Sequence, residues 1–251
     1  MTLYLEGVSL KNKVSIIILA AGKGTRMKSD MPKVLHKVKG KSMIEHVILN
    51  AKNLNPEKII VVVGYKYEMV KKQLKNYDLT YAIQHEQNGT AHAVMQCEKS
   101  LKNYDGHTLV LSGDVPLIKS KTLKELFEKQ INNKAHATVL SAKVKNPYGY
   151  GRIIRNLDNN FKAIVEEKDA NDSQKNIDEI NGGIYIFNNQ TLFKNINKVK
   201  NNNNQSEYYL PDVLEILIKQ NRKVLVHQIN DENEIKGANT EQQLSDLEKN
   251  A

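Results

Sequence analysis

Val14-Ser15-Ile16-Ile17-Ile18-Leu19-Ala20-Ala21-Gly22-Lys23-Gly24-Thr25-Arg26-Met27, with Pro32-Lys33 just behind it, is the stretch around which this chain is organised. Residues 14–19 are apolar, rich in isoleucine and short enough to be a buried strand. Two small residues and two glycines follow, which let the backbone come very close to a bound group. Lys23, Arg26 and Lys33 add positive charge at the same place. A strand running into a small, glycine-rich, cationic turn ahead of a helix reads as a phosphate cradle. Its amides point at an anion, and the cations neutralise what the amides do not.

Two familiar phosphate loops do not account for it. A P-loop needs a glycine five residues before Gly-Lys-Ser/Thr. The chain contains Gly40-Lys41-Ser42, but Leu35 stands where that glycine should be. The dinucleotide fingerprint needs a third glycine three residues after the second, and Met27 occupies that place.

Length and composition narrow the remaining classes. A chain of 251 residues forms one large domain or two small ones with ample core. Its longest apolar runs, near 16–21 and 59–63, fall far short of a membrane span. The first thirteen residues, which read as an irregular extension or edge strand, lack the apolar core and cleavage site of a signal peptide. A lone cysteine, Cys97, excludes an internal disulfide framework and points to the cytoplasm. It falls in a helical pattern and reads as a packing residue. The formal charge of +9 invites a nucleic-acid reading, yet arginine occurs only at positions 26, 152, 155 and 222 and lysine is scattered. Without a basic helix or an arginine–aromatic cluster, neither nucleic acid nor membrane is expected as a partner. The seven histidines are dispersed without zinc-site spacing; His36 and His92 lie near the motifs considered below.

Along the chain, Met43, Ile44, Val47, Ile48, Ala51 and Leu54 recur at helical spacing. A β-branched run at 59–63 ends in Gly64, a polar helix spans about 68–74, and a strand lies near 79–84. Thr90 is placed to cap a helix carrying Ala93, Val94 and Cys97. Residues 108–112 form a strand that leads to Asp114, at the carboxyl edge where α/β sheets bind ligands. A helix with Leu123, Leu126, Phe127 and Ile131 follows. Alternating strands and helices of this kind predict an α/β fold, a Rossmann-like, mostly parallel sheet with flanking helices. From Ala137 strands and turns dominate, at 138–142, 151–154, 161–165 and 183–187. They suggest a smaller lobe over about 136–236 folding over a first lobe of about 14–135, within one compact domain. Leu210, Val213, Leu214, Leu217 and Ile218 mark another helix, 223–228 a late strand, and 240–251 the start of a final helix. The asparagines at 201–204 read as a turn or loop.

Several segments together carry a resemblance. Leu19-Ala20-Ala21-Gly22-x-Gly24-Thr25-Arg26-Met27 with Pro32-Lys33 resembles the signature of sugar-phosphate nucleotidyltransferases. Gln84-x-x-Gln87-x-Gly89-Thr90-Ala91-His92-Ala93, Gly113-Asp114-Val115-Pro116-Leu117, Tyr148-Gly149-Tyr150-Gly151-Arg152, Ile164-Val165-Glu166-Glu167-Lys168-Asp169-Ala170, Glu179-Ile180-Asn181-x-Gly183-Ile184-Tyr185 and Glu207-Tyr208-Tyr209-Leu210-x-Asp212 match in order. Over roughly 14–250 the chain is similar to the uridyltransferase half of the bifunctional N-acetylglucosamine-1-phosphate uridyltransferase/glucosamine-1-phosphate acetyltransferase family. That family has a nucleotide-diphospho-sugar transferase fold with nucleotide-binding and sugar-binding lobes.

The resemblance implies UTP and N-acetylglucosamine-1-phosphate as substrates, UDP-N-acetylglucosamine and pyrophosphate as products, and Mg²⁺ as cofactor. Such chemistry needs cations, amides and a hard metal ion, with no nucleophilic serine or cysteine. Arg26 and Lys33 are then the catalytic cations on the triphosphate. Leu19, Ala20, Ala21, Gly22, Gly24, Thr25, Lys33, Gln84, Gly89 and Thr90 bind the nucleotide, with Gln84, Gly89 and Thr90 reading uracil. Gly149, Glu166 and Asn181 contact the sugar. Tyr209 packs near the acetamide or is a core tyrosine. Asp114 and Asn239 ligate the metal, although alone Asp114 could be a helix cap and Asn239 a turn residue. Gly182 and Pro211 depart from the family pattern near the sugar pocket. No hexapeptide repeat is present, so the family's β-helical acetyltransferase part is expected to be absent and the chain to be a monomer or weak dimer. A transferase for another sugar phosphate or dTTP, and a non-catalytic relative, are the competing readings.

Overall fold

In the computed structural model, which describes residues 13–250, the opening apolar run is strand β1 (Val14–Ala20). The expected extension before it lies, through residue 12, outside the described residues. Side chains alternate across a strand, so Ile16, Ile18 and Ala20 join one core while Ile17 joins the other. A small hairpin, β2 (Lys37–Val38) and β3 (Lys41–Ser42), leads into helix α1 (Met43–Lys52). Ser42 and Glu45 form a capping box there, which satisfies amides that the first turn leaves unpaired. Next come β4 (Lys58–Val63), α2 (Tyr67–Gln73), β5 (Thr80–Ile83), α3 (Thr90–Met95), α4 (Glu98–Leu101), β6 (His107–Ser112) and α5 (Ser120–Asn132). The second half contributes β7 (Ala137–Lys143), β8 (Arg152–Arg155), β9 (Phe161–Val165), α6 (Asp172–Lys175), β10 (Glu179–Asn188), α7 (Asn189–Asn195), α8 (Asp212–Lys219), β11 (Val224–Ile229) and α9 (Glu241–Asn250).

The main sheet runs β11-β7-β10-β6-β1-β4-β5. β6, β1, β4 and β5 are mutually parallel, and β11 runs parallel to β7. Only β10 opposes its neighbours β6 and β7 along this path. From β1 the chain moves outward to β4 and β5, then returns across β1 to β6. This reversal opens a crevice at the carboxyl ends of β1 and β6, where such sheets bind ligands. Strands of the second half continue the same sheet, while β8 and β9 form an antiparallel offshoot from β10. Arg155 grips the buried Glu179 carboxylate through two 2.7 Å bonds and ties this offshoot back.

The C-terminal segment is held by a small core of its own. Leu247 and Ala238 pack with Val38 and Met43, and the Lys39 N–H donates to Glu248 at 2.8 Å. Helix α9 is thereby fixed on the β2–β3 hairpin, which places Asn239, two residues before it.

A β-bulge between Asn181 and Tyr185 interrupts β10. Buried Gly182 lies inside it, and a Cβ there would stand 2.9 Å from Ile235 Cγ2 and 3.0 Å from the Leu140 carbonyl oxygen. Glycine at position 182 therefore makes room for Ile235. Gly182→Thr should lower stability by about 1–3 kcal/mol through overpacking. Thermal melting should show Gly182→Thr costing less in an Ile235→Ala background, which lacks Cγ2, than in the natural protein.

Candidate active site

The loop after β1 begins as expected but does not open an α-helix. Gly24 and Lys28 take left-handed backbone conformations on either side of a single 3₁₀ turn, Thr25–Met27. A second such turn, Lys33–Leu35, follows Pro32, and the first α-helix starts only at Met43. Met27 and Lys28 donate back to the carbonyls of Gly24 and Thr25. Among the described residues, the backbone N–H groups of residues 22–26 meet no acceptor. An array of free amides beside cations binds anions without help from a helix dipole.

Lys33 is the hub of the site. Its ammonium group lies 2.5 Å from Asp114 Oδ2 and 2.9 Å from Asn239 Oδ1. Arg26 donates to the same Asn239 oxygen at 3.0 Å. The side chains of Lys33 and Asp114 each keep only 18% exposure, so their charges compensate one another away from bulk water. Asp114 caps no helix: α5 begins at Ser120, six residues later. One carboxylate and one amide oxygen thus converge on a single positive centre, a donor pair that suits a hard divalent cation. Gly237 allows this approach, because a Cβ there would meet Asp114 at 3.1–3.5 Å. Among the described residues no group of three or more His, Cys, Asp or Glu side chains could hold a metal ion.

A cleft of about 320 Å³ opens beside the hub. It is lined by Leu19, Ala20, Ala21, Gly22, Lys33, Gln84, Gly89, Thr90 and Asp114, all expected from sequence, and by Val34, Gln87, Ala93, Ser112 and Glu207, which were not. Gln87 and Glu207 lay inside the motifs, but nothing local assigned them a role. Gly24, Thr25, Arg26 and Asn239 fall outside this lining; Arg26 and Asn239 join it through Lys33.

Two expectations need a different physical reason. Thr90 does not cap α3; Gly89 holds that place, and Thr90 Oγ1 accepts the Leu210 N–H at 2.9 Å. Gly89 itself has φ +105°, and a side chain there would enter the Tyr208 backbone at 2.5 Å. Its smallness serves the joint between the 88–91 and 207–210 segments, which Ala91 N to Tyr208 O and Tyr208 N to Asn88 O close at 2.8 Å each.

The expected sugar residues Gly149, Glu166, Asn181 and Tyr209 all fall outside the cleft lining. Asn181 donates to Tyr185 Oη at 2.6 Å and accepts from the Gly183 N–H at 3.0 Å. Gly149 is exposed, and its N–H already donates to Glu167 Oε2 at 3.0 Å, beside the Arg152–Glu167 ion pair. The Tyr209 hydroxyl is buried without a hydrogen-bond partner. Ser112, on the cleft wall, donates to the Gly183 carbonyl at 3.3 Å and links both halves. No helix among the described residues is long and apolar enough to cross a membrane.

Comparison with known proteins gives a consistent picture. Residues 15–233 match the profile of a family described as nucleotidyl transferase. Curated relatives named Bifunctional protein GlmU from Staphylococcus haemolyticus and Staphylococcus epidermidis are 50% and 51% identical over 233 residues. Those 233 residues are 93% of this chain and 51% of each relative. The protein of that name from Streptococcus agalactiae is 48% identical over 93% of this chain and 50% of its own. The chain spans about half the length of the curated relatives it matches. Among solved structures, a Bacillus anthracis chain assigned provisionally as a glucose-1-phosphate thymidylyltransferase, in complex with a sucrose, superposes with a TM-score of 0.74. It is 20% identical and covers 95% of both chains, a likeness of fold.

Charge around Glu166 is controlled by burial. Glu166 is pushed up to about 7, first by burial, then by the nearby Asp169, Asp212 and Glu207 charges, against the pull of Arg152. Burial also lifts Asp212 to about 6, with Glu215 and Asp169 adding to it. Between its ordinary value of 4.5 and about 7, Glu166 keeps its proton in the folded chain while the unfolded chain has lost it. Stability must therefore fall as pH rises through that window. At pH 8 Glu166→Gln should exceed the natural protein by about 2–3 kcal/mol. Denaturant titrations below pH 4.5 should show the two converging.

Proposed function

This chain belongs to the nucleotidyl transferase family, and on that premise we propose that it transfers UMP from UTP to N-acetylglucosamine-1-phosphate, releasing pyrophosphate. The carrying observation is the convergence, at the mouth of one cleft, of the free amides of residues 22–26 with the Arg26–Asn239–Lys33–Asp114 cluster. It suits a substrate with several negative charges and a reaction that adds more. The identity of about half the residues with relatives named Bifunctional protein GlmU supports the choice of sugar and nucleotide.

In this reading the amides and Arg26 hold the β- and γ-phosphates, and Lys33 leaves its resting partners to follow the α-phosphate. A phosphate oxygen of the sugar phosphate attacks the α-phosphorus in line. The new P–O bond forms as the bond to the β-phosphate oxygen breaks, and pyrophosphate departs with that electron pair. No protein nucleophile is needed; holding the charges together and neutralising the transition state carry the rate. Asp114 and Asn239 would hold Mg²⁺, which supplies counter-charge to the phosphates when bound. Gly149, Glu166, Asn181 and Tyr209 are assigned to the sugar. A protonated Glu166 can both donate to and accept from its hydroxyls. A buried Cys97 thiol, the chain's lone cysteine, supports a cytoplasmic setting.

Pyrophosphate release measured for UTP, dTTP and CTP with each of several sugar-1-phosphates should favour UTP with N-acetylglucosamine-1-phosphate. Preference for dTTP with glucose-1-phosphate would overturn the assignment. Asp114→Ala should lower kcat by about a thousandfold or more with little change in Tm, because its charge acts mainly in the transition state.

A further inference from the structure

Gln84 follows β5 at the floor of the cleft and is only 3% exposed. Its Nε2 has two contacts, the Gly89 carbonyl oxygen and His92 Nδ1, each at 3.1 Å. The Gly89 oxygen is an obligate acceptor, so the Gln84 nitrogen must face it; a flipped amide would set two oxygens against each other. With Nε2–H₂ in that place, His92 Nδ1 must accept the second proton. The imidazole then carries its own proton on Nε2. Both Gln84 donors are consumed inside the protein, which leaves Oε1 as its sole group for a ligand. His92 lies behind Gln84, outside the cleft lining, with the Tyr208 ring tilted beside it at 6.4 Å.

We propose that His92 is a positioning residue for base selection, locking Gln84 so that the cleft presents an acceptor to the base. A uracil or thymine ring offers a donor at N3 and is accepted. Cytosine offers an acceptor at N3, so the Gln84 oxygen meets a nitrogen lone pair. Without the imidazole acceptor, one Gln84 proton is left unpaired in a buried place, and the amide turns or shifts to satisfy it. The selectivity then collapses although no cleft residue has changed. This inference rests on the uridine nucleotide reading above and deepens it.

The test is calorimetric binding of UTP, CTP and inorganic triphosphate to the full chain with no sugar phosphate present, so that it does not depend on transfer. Natural protein should prefer UTP to CTP. His92→Leu keeps the side-chain size without the acceptor, and should lose about tenfold or more of that preference, the size of one buried hydrogen bond. Its triphosphate binding should stay within about twofold, since the loop cations are untouched and the fold intact. His92→Asn can put its carbonyl oxygen where Nδ1 stands and should keep the preference within about threefold. Three results overturn the inference: no preference in the natural protein, an unchanged preference in His92→Leu, or an equal loss in His92→Asn. Natural protein that discriminates between the bases and loses this in His92→Leu, yet releases no pyrophosphate, supports the inference and counts against the transfer alone.

Discussion

A single ammonium group ties together three distant parts of this chain. Lys33 reaches Asp114, 81 residues on, and Asn239, 206 residues on. Buried charge is tolerated only where it is paired, so these three residues arrive together or the site does not form. The requirement explains features that look unrelated. β6 must lie directly beside β1 to bring Asp114 to the phosphate loop. The chain must also return after β11, seat Ile235 against Gly182, and dock α9 on the β2–β3 hairpin before Asn239 can reach the same point.

Away from that hub the chain holds a second, opposite electrostatic regime. Near Lys33 and Arg26 the field is positive and the backbone donates. Around Glu166 the side chains are acidic, and Asp169, Asp212 and Glu207 all add to its upward shift. Four ionised carboxylates there would repel one another. Burial keeps Glu166 largely protonated below neutrality, which lessens that repulsion. The chain's surplus of +9 is spread over the surface, and local arrangement decides what each region can bind.

Period carried most of the fold. The isoleucine-rich run and the β-branched run at 59–63 became central parallel strands, and helical spacing found α1, α5 and α8. Local reading failed where a distant segment took over a local group. Thr90 has the chemistry of a cap, but the Leu210 amide, 120 residues away, claims its hydroxyl. The cradle was expected to open a helix, yet Gly24 and Lys28 break the backbone into a single 3₁₀ turn. Glu207 and Ser112 line the cleft because of strand and loop pairings that no motif spacing records. Asp114 was legible because it follows a strand at the sheet's ligand-binding edge, whereas Gln84 came from the family resemblance.

Glycines separate what the fold needs from what a ligand needs. A side chain at Gly89 would strike the Tyr208 backbone, and one at Gly182 would strike Ile235 and the Leu140 carbonyl. Internal packing accounts for both, so neither speaks for a bound molecule. Gly22 is different. Its backbone is not left-handed, and a Cβ there would meet no protein atom within 4 Å. It also lines the cleft and carries one of the free amides. Neither strain nor crowding within the protein requires glycine at that position. The remaining physical reason is close approach of something outside the chain, and adjacent unpaired N–H groups fix its sign as negative.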